Sequence, residues 1–296
     1  MDWDWGWLLG ILTATIRQAT PLLFAAMGTL FIQSSGIMNM GGEGQMLIAG
    51  FLGALITNST DSVWAGMVVA TFATAIISVM YVFIIQEFNV NQIIVGISFN
   101  TFVIALTTIL NSGAVRGGGP MQRILPSFLV RPLGFPIPVF VGFLLVPLTA
   151  WFIRNSRIGL KIRAAGEYPL AVESVGLSVK RTRYIAAFIG GLFIGFAGAF
   201  LTLGINNMFI DNFVAGRGYI SMTTVSFGKY SPFGILGAVI LFGAGDALQF
   251  RLQILGDFPY QFAAMLPYVL TVIALVIFTR NPRSPSALGR PYWKQK

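Results

Sequence analysis

The sequence predicts an all-α membrane protein, a polytopic bundle of about nine transmembrane or half-membrane helices with an inverted internal repeat. Three observations carry that reading. Of the 296 residues, 55% are apolar and only 10% are charged, and the mean hydropathy is +0.78, outside the range of an ordinary soluble domain. Apolar runs near the ~20 residues needed to cross a bilayer recur along the chain. The charges are gathered rather than scattered: residues 154–183 hold seven Lys and Arg. At about 2.5–3.5 kcal/mol per cation held mid-bilayer, burying all of them in lipid would cost on the order of 20 kcal/mol. That segment therefore stays out of the membrane as the main polar protrusion.

The elements follow in order. The opening MDWDWGW lacks a basic leader segment, so the first apolar run, 7–33, is read as part of the mature chain. Arg17 and Pro21 interrupt it, and an interfacial first turn leading into a span is expected. The stretch SSGIMNMGGEGQ breaks the helix with glycine. A short apolar run, 44–57, precedes spans at 63–85 and 91–112. Residues 113–135 form a Gly/Pro-rich loop. A fifth span covers 136–153 and, after the basic segment, a sixth covers 184–204. The polar connection GINNMFIDNFVAGRG leads to a second short run, 218–229, and the turn KYSPFG leads to spans at 232–250 and 261–279. The tail from 280 is basic and broken by proline. Residues 1–296 read as a single transmembrane domain, with 154–183 as its protruding loop.

Nine segments, with the basic loop cytoplasmic, put the N-terminus outside and the C-terminus inside. Thirteen of the 19 Lys and Arg then fall inside, the bias of the positive-inside rule. The same bias accounts for the net charge of +9 without any nucleic-acid partner. The outer loop 113–135, with three arginines, runs against the trend. The two short runs open alike, on Gly42-Glu43-Gly44-Gln45 and Gly216-Arg217-Gly218-Tyr219. An odd number of segments separates them, which reverses the direction of travel. Short, glycine-interrupted helices in matching positions of two halves point to a transport pathway.

The chain has neither cysteine nor histidine. Disulfides, thiolate metal sites and imidazole acid–base chemistry are thereby excluded, and no catalytic or metal-ligating set is assigned. Polar residues in and beside the spans are the candidates for the solute pathway: Asn39, Glu43, Gly44 and Gln45 at the first short helix, Gly216 and Gly218 at the second, and Asn100 and Thr101 in VGISFNTFVIAL. Amide side chains can bond the hydroxyls or base edges of an uncharged solute. Asn100 reads equally as an interhelical hydrogen bond, and Glu43 as a helix cap favoured by the dipole. Asp246 is expected to pair with nearby Arg251. Trp3, Trp5, Trp7 and Trp64 fit an interfacial belt against membrane lipid. In the basic loop, Pro169 suits a helix start and Gly176 a helix end, so a short helix is expected over 169–175. Held off the membrane by two spans, it is a docking element for a cytoplasmic partner. Its candidate residues are Arg163, Ala165, Gly166, Glu167, Pro169, Glu173, Ser174 and Gly176.

The run RAAGEYPLAVESVGLSVKRTRY resembles the cytoplasmic coupling loop of ABC-importer permeases, in the family that includes ribose, branched-chain amino acid and nucleoside permeases. GIMNMGGEGQMLIAGF resembles that family's first conserved block in its nucleoside or simple-sugar branch. GRGYISMTTVSFGKYSPFGILGAVILFGAGDALQ and LPYVLTVIALVIFTRNPRSPSALGRPY resemble its last two blocks. The resemblance runs from about residue 8 to 292 and departs at Tyr168, where a small polar residue such as Asn is expected. It implies a permease subunit that moves a small polar solute, a nucleoside, across the bacterial cytoplasmic (inner) membrane by alternating access. It also implies a second permease subunit, a paralogue forming a heterodimer, and cytoplasmic ATP-binding subunits that carry ATP and Mg. An extracellular or periplasmic solute-binding protein would deliver the cargo. The chain lacks a GxxxxGK[ST] loop, so it holds no ATP in that way and is assigned no cofactor. The glycine triplet 117–119 lacks the following Lys-Ser/Thr and reads as a turn. A simple-sugar or riboflavin-like cargo stays open, as does a stand-alone carrier driven by ion gradients.

Overall fold

The computed structural model describes residues 5–112, 132–255 and 284–292, with isolated helical positions between 261 and 276. Most of the loop expected over 113–135, with the triplet 117–119, and much of the span expected over 261–279 lie outside the described residues. Among those described the fold is entirely helical. Its helices are α1 (Trp5–Ser34), α2 (Gly42–Thr60), α3 (Val63–Glu87), α4 (Gln92–Asn111) and α5 (Ile137–Asn155). They continue as α6 (Arg157–Glu167), α7 (Pro169–Ser174), α8 (Val179–Phe200), α9 (Arg217–Phe227) and α10 (Pro232–Leu255). Six of them are long and apolar enough to cross a membrane: α1, α3, α4, α5, α8 with its extension to Asn206, and α10. α2 and α9 fall outside that set. At 1.5 Å per residue α9 spans only about 16 Å, near half a hydrocarbon core.

The helix starts are set by their caps. Ser62 and Asn91 accept hydrogen bonds from the first free N–H groups of α3 and α4. Ser156 does the same for α6, and Ser178 for α8. α8 is the hub, packing against α1, α2 and α3. Glycines let it come close: a Cβ at Gly190 or Gly28 would strike the other's carbonyl, and one at Gly198 would strike the Met46 carbonyl. Lipid exerts no hydrophobic force between helices, so small residues that admit backbone contact supply the packing energy. The apolar core lies on both sides of this hub. Phe51, Ile194 and Phe200 fill the α2–α3–α8 side, and Leu23, Met27 and Phe242 fill the α1–α10 side.

Two faces are defined by contacts between ends. Glu87, at the end of α3, accepts from Lys180 Nζ (2.7 Å) and Tyr184 Oη (2.9 Å) at the start of α8. The end of α1 lies on Gly166 of α6. These ends, with α6 and α7, form the basic face. On the opposite face the Arg251 guanidinium of α10 lies against Gly10 of α1. α2 runs toward that opposite face and α9 toward the basic one.

Four elements differ from the expectation. α2 runs 19 residues, as long as α5, rather than the short run expected over 44–57. The basic segment holds two helices rather than one, and α8 already begins at Val179, so Lys180, Arg181 and Arg183 ride on its first turns. Lys and Arg are good helix formers whose long stems carry the charge to the boundary, so their cost in lipid does not bar helix. α1 continues unbroken through Arg17 and Pro21. α8 ends in a π-helical turn, Leu201–Asn206, closed by Asn207 at φ 54°, which no residue pattern announced.

Candidate functional site at the junction of two helix N-termini

The site grows from the stem, residues 35–41, that links α1 to α2. Gly36 turns the chain at φ +92°, a conformation only glycine adopts without strain. The stem then climbs along α4. Met38 N–H donates to Gln92 Oε1 (2.7 Å), and the Met40 carbonyl accepts from Asn100 Nδ2 (2.9 Å). Asn100 lies near the middle of the 20-residue α4, so α2 starts at mid-depth. The Asn100 amide also accepts from Gly44 N–H (2.8 Å) and donates to Tyr219 Oη (2.7 Å). One buried side chain thus braces the stem, α2 and α9.

α9 arrives at the same depth from the other direction. Its Gly218 lies against the backbone of Gly42 and Glu43, where any Cβ would collide. The two N-termini abut, and Glu43 closes them: its carboxylate accepts from Gly216 N–H and Gly218 N–H, each at 2.7 Å. Glu43 is 3% exposed, and the positive ends of two helix dipoles converge on it. Glu43 therefore caps a helix, as expected, but its hydrogen bonds go to α9 rather than to its own helix. Arg217, between the two glycines, turns away to pair with Asp246 at 3.4 Å. This corrects the expected Asp246–Arg251 pair. Five residues along a helix are about 140° around it, so the two side chains leave different faces.

Asn39 Nδ2 donates to Gln45 Oε1 (3.2 Å). The remaining Asn39 Oδ1 and Gln45 Nε2 are buried without a partner. Thr101 is exposed, and its hydroxyl donates to the Ile97 carbonyl of its own helix. The fold therefore gathers Asn39, Glu43, Gly44, Gln45, Asn100, Gly216 and Gly218 at one junction and leaves Thr101 outside it. Sequence reasoning missed Gln92 and Tyr219. Tyr219 stands in the second glycine motif, where its position was a usable signal; Gln92 carried none.

On the basic face, α7 starts at Pro169 and ends in a Schellman motif. Gly176 N–H bonds the Glu173 carbonyl (2.9 Å) and Leu177 N–H bonds the Val172 carbonyl (3.1 Å), with Gly176 at φ +78°. Arg163, Glu167, Ser174 and Gly176 are exposed, and Pro169 and Glu173 are half-buried. Tyr168, Leu170 and Val175 add an exposed apolar edge. Ala165 and Gly166 instead face inward. Gly166 sits on the Ser34 carbonyl so closely that a Cβ there would collide with it. Bulk at Gly166 would disturb the chain's own packing before reaching any partner.

A multi-span bundle in which the N-termini of α2 and the short α9 meet at mid-depth suits a membrane permease. Residues 11–275 match the family described as branched-chain amino acid transport system / permease component, and the chain belongs to that family. It is 30% identical to the guanosine ABC transporter permease protein NupQ of Bacillus subtilis, over 97% of each chain. It is 34% identical to the putative glucose ABC transporter permease protein TsgC13 of Haloferax volcanii, over 82% of this chain and 78% of that one. With the nucleoside ABC transporter permease protein NupC of Lactococcus lactis it shares 28% identity over 97% of each. Bacillus subtilis supplies a further match, NupP, 25% identical over 77% of this chain and 70% of its own length. No solved structure matches the chain.

Proposed function

We propose that this permease carries nucleosides inward as one half of an ABC importer. The observation that carries the reading is the Glu43-closed junction at mid-depth, in a chain similar over nearly its whole length to NupQ and NupC. The unused Asn39 Oδ1 and Gln45 Nε2 are an acceptor and a donor beside that junction. A nucleoside hydroxyl or base edge satisfies both when alternating access opens the site. Glu43, Gly44, Asn100, Gly216 and Gly218 hold the two helix ends in register.

The other half is a paralogous permease. Bacillus subtilis has two guanosine permeases similar to this chain, NupQ matching it end to end and NupP over 70% of its length. ATP and Mg belong to cytoplasmic ATPase subunits that grip α7, and an extracellular or periplasmic binding protein delivers the solute. The chain lies in a cytoplasmic membrane with its basic face and C-terminus inside and its N-terminus outside. A sugar cargo is the second reading, favoured by the similarity to TsgC13.

The test is uptake into proteoliposomes holding the chain with its ATPase, partner permease and binding protein. Labelled guanosine should accumulate only with ATP, and excess uridine or adenosine should compete while glucose does not. Competition by glucose alone would replace the nucleoside reading with the sugar one. Uptake by the chain without any ATPase, driven by an ion gradient, would replace both.

A further inference from the structure

Residues 284–292 return to the basic face and cross it. The Ala287 N–H donates to the Gly166 carbonyl (2.9 Å) at the end of α6, and two residues on the Gly289 N–H donates to the Gly36 carbonyl (3.1 Å) in the stem of α2. Ser286 adds its N–H and its hydroxyl to the Glu167 carboxylate, at 3.2 and 3.0 Å. Beyond them the Tyr292 ring lies under the Arg183 guanidinium, 5.7 Å from centroid to Cζ. Arg183 is 2% exposed and donates from Nε to the Ser35 carbonyl at 3.0 Å. A cation at the C-terminal end of α1 is favoured by that helix's dipole, and the aromatic face adds to it.

We propose that this segment is a transmission strap. It fastens the α6–α7 pair to the stem, so that a pull on α7 moves the start of α2 and with it the helix junction. This rests on the reading of α7 as the ATPase-docking helix. The geometry gives the strap a short line of action. Three groups meet on Gly36 of the stem: the Arg183 guanidinium, the Ala287 carbonyl and the Gly166 Cα, all within 3.4 Å of where a Gly36 Cβ would stand. From Gly36 the stem is tied to Gln92 through Met38 and to Asn100 through Met40 before it enters α2 at Gly42. A peptide reaches at most about 3.6 Å per residue, so a stem of so few residues has little slack to absorb a shift at its base. The end of α6 and the base of the stem are bonded to one strap, and they move as one body.

The readout is guanosine moved per ATP hydrolysed by the assembled importer in proteoliposomes, because a segment that only stabilises the fold would not change that ratio in the molecules that assemble. Deleting 284–296 should lower the ratio about five- to tenfold, the size of an ordinary coupling between sites, while the ATPase still co-purifies and hydrolyses ATP. An unchanged ratio overturns the strap. If the deleted chain does not assemble, the double variant Ser286→Ala/Tyr292→Ala decides by the same ratio, since it removes the side-chain anchors and keeps the backbone. A fall supports the proposal, and wild-type coupling overturns it. Wild-type uptake without ATP hydrolysis would instead sink the docking reading, and is told apart because it appears before any variant is made.

Discussion

Glu43 and Asn100 show what a single buried polar side chain can hold together. Glu43 satisfies two N–H groups of another helix 175 residues or fewer away in sequence, and hydrogen bonds to a charged acceptor are worth about 1.5–3 kcal/mol each. Glu43→Gln keeps the size but offers one acceptor, and turns an NH2 toward a backbone donor. It should lower stability by about 2–3 kcal/mol, read as an earlier thermal transition in tryptophan fluorescence in detergent, with uptake reduced in proportion. Asn100→Ala strands Gly44 N–H and the Met40 carbonyl and should cost about 1–3 kcal/mol. Thr101→Ala, on the exposed side of the same helix, should leave the transition where it was. Loss of uptake in Asn100→Ala with an unmoved transition would make it a solute ligand rather than a brace. The types and places of these residues were readable because an amide or acid inside an apolar run is conspicuous. Their partners were not, since period and spacing say nothing about which distant backbone a side chain will meet. Arg183 was hidden for the same reason: it was one cation among seven, and only packing separates it from the others.

At the scale of elements, apolar length was enough to find the six described spans, because each must satisfy its own backbone bonds across lipid. What length cannot find is a change of path within a helix. The π-turn Leu201–Asn206 and the early start of α8 at Val179 depend on caps and neighbours rather than on hydropathy. Close packing is also local and testable. Gly198→Val would drive a side chain into the Met46 carbonyl of α2, whereas Gly237→Val on α10 meets nothing within 4 Å. The first should destabilise by about 1–3 kcal/mol, as overpacking does, and the second should be within about 0.5 kcal/mol of wild type. Paired thermal melts in one detergent check this, and equal shifts would contradict the α2–α8 contact.

For the whole molecule, the proposed orientation, with the basic face cytoplasmic, can be tested directly. The chain has no cysteine, so a single engineered thiol reports cleanly. Ser178→Cys, on the basic face, should react with an impermeant maleimide only from the cytoplasm, and Ser112→Cys, at the far end of α4, only from outside; the reverse pattern would invert the topology. The repeat was legible as two glycine motifs in matching positions, and the fold adds how they differ. If the halves were perfect copies about an axis in the membrane plane, Glu43 and Arg217 would be equivalent, and two like residues would compete for one spot between the helix ends. Two acids there would repel, and two bases would face the positive ends of both dipoles. The junction takes one acid and sends its counterpart off to Asp246. Exchanging Glu43 and Arg217 as a pair would set a glutamate against Asp246 and leave a cation between two helix N-termini, so the two positions can trade places only if Asp246 changes with them.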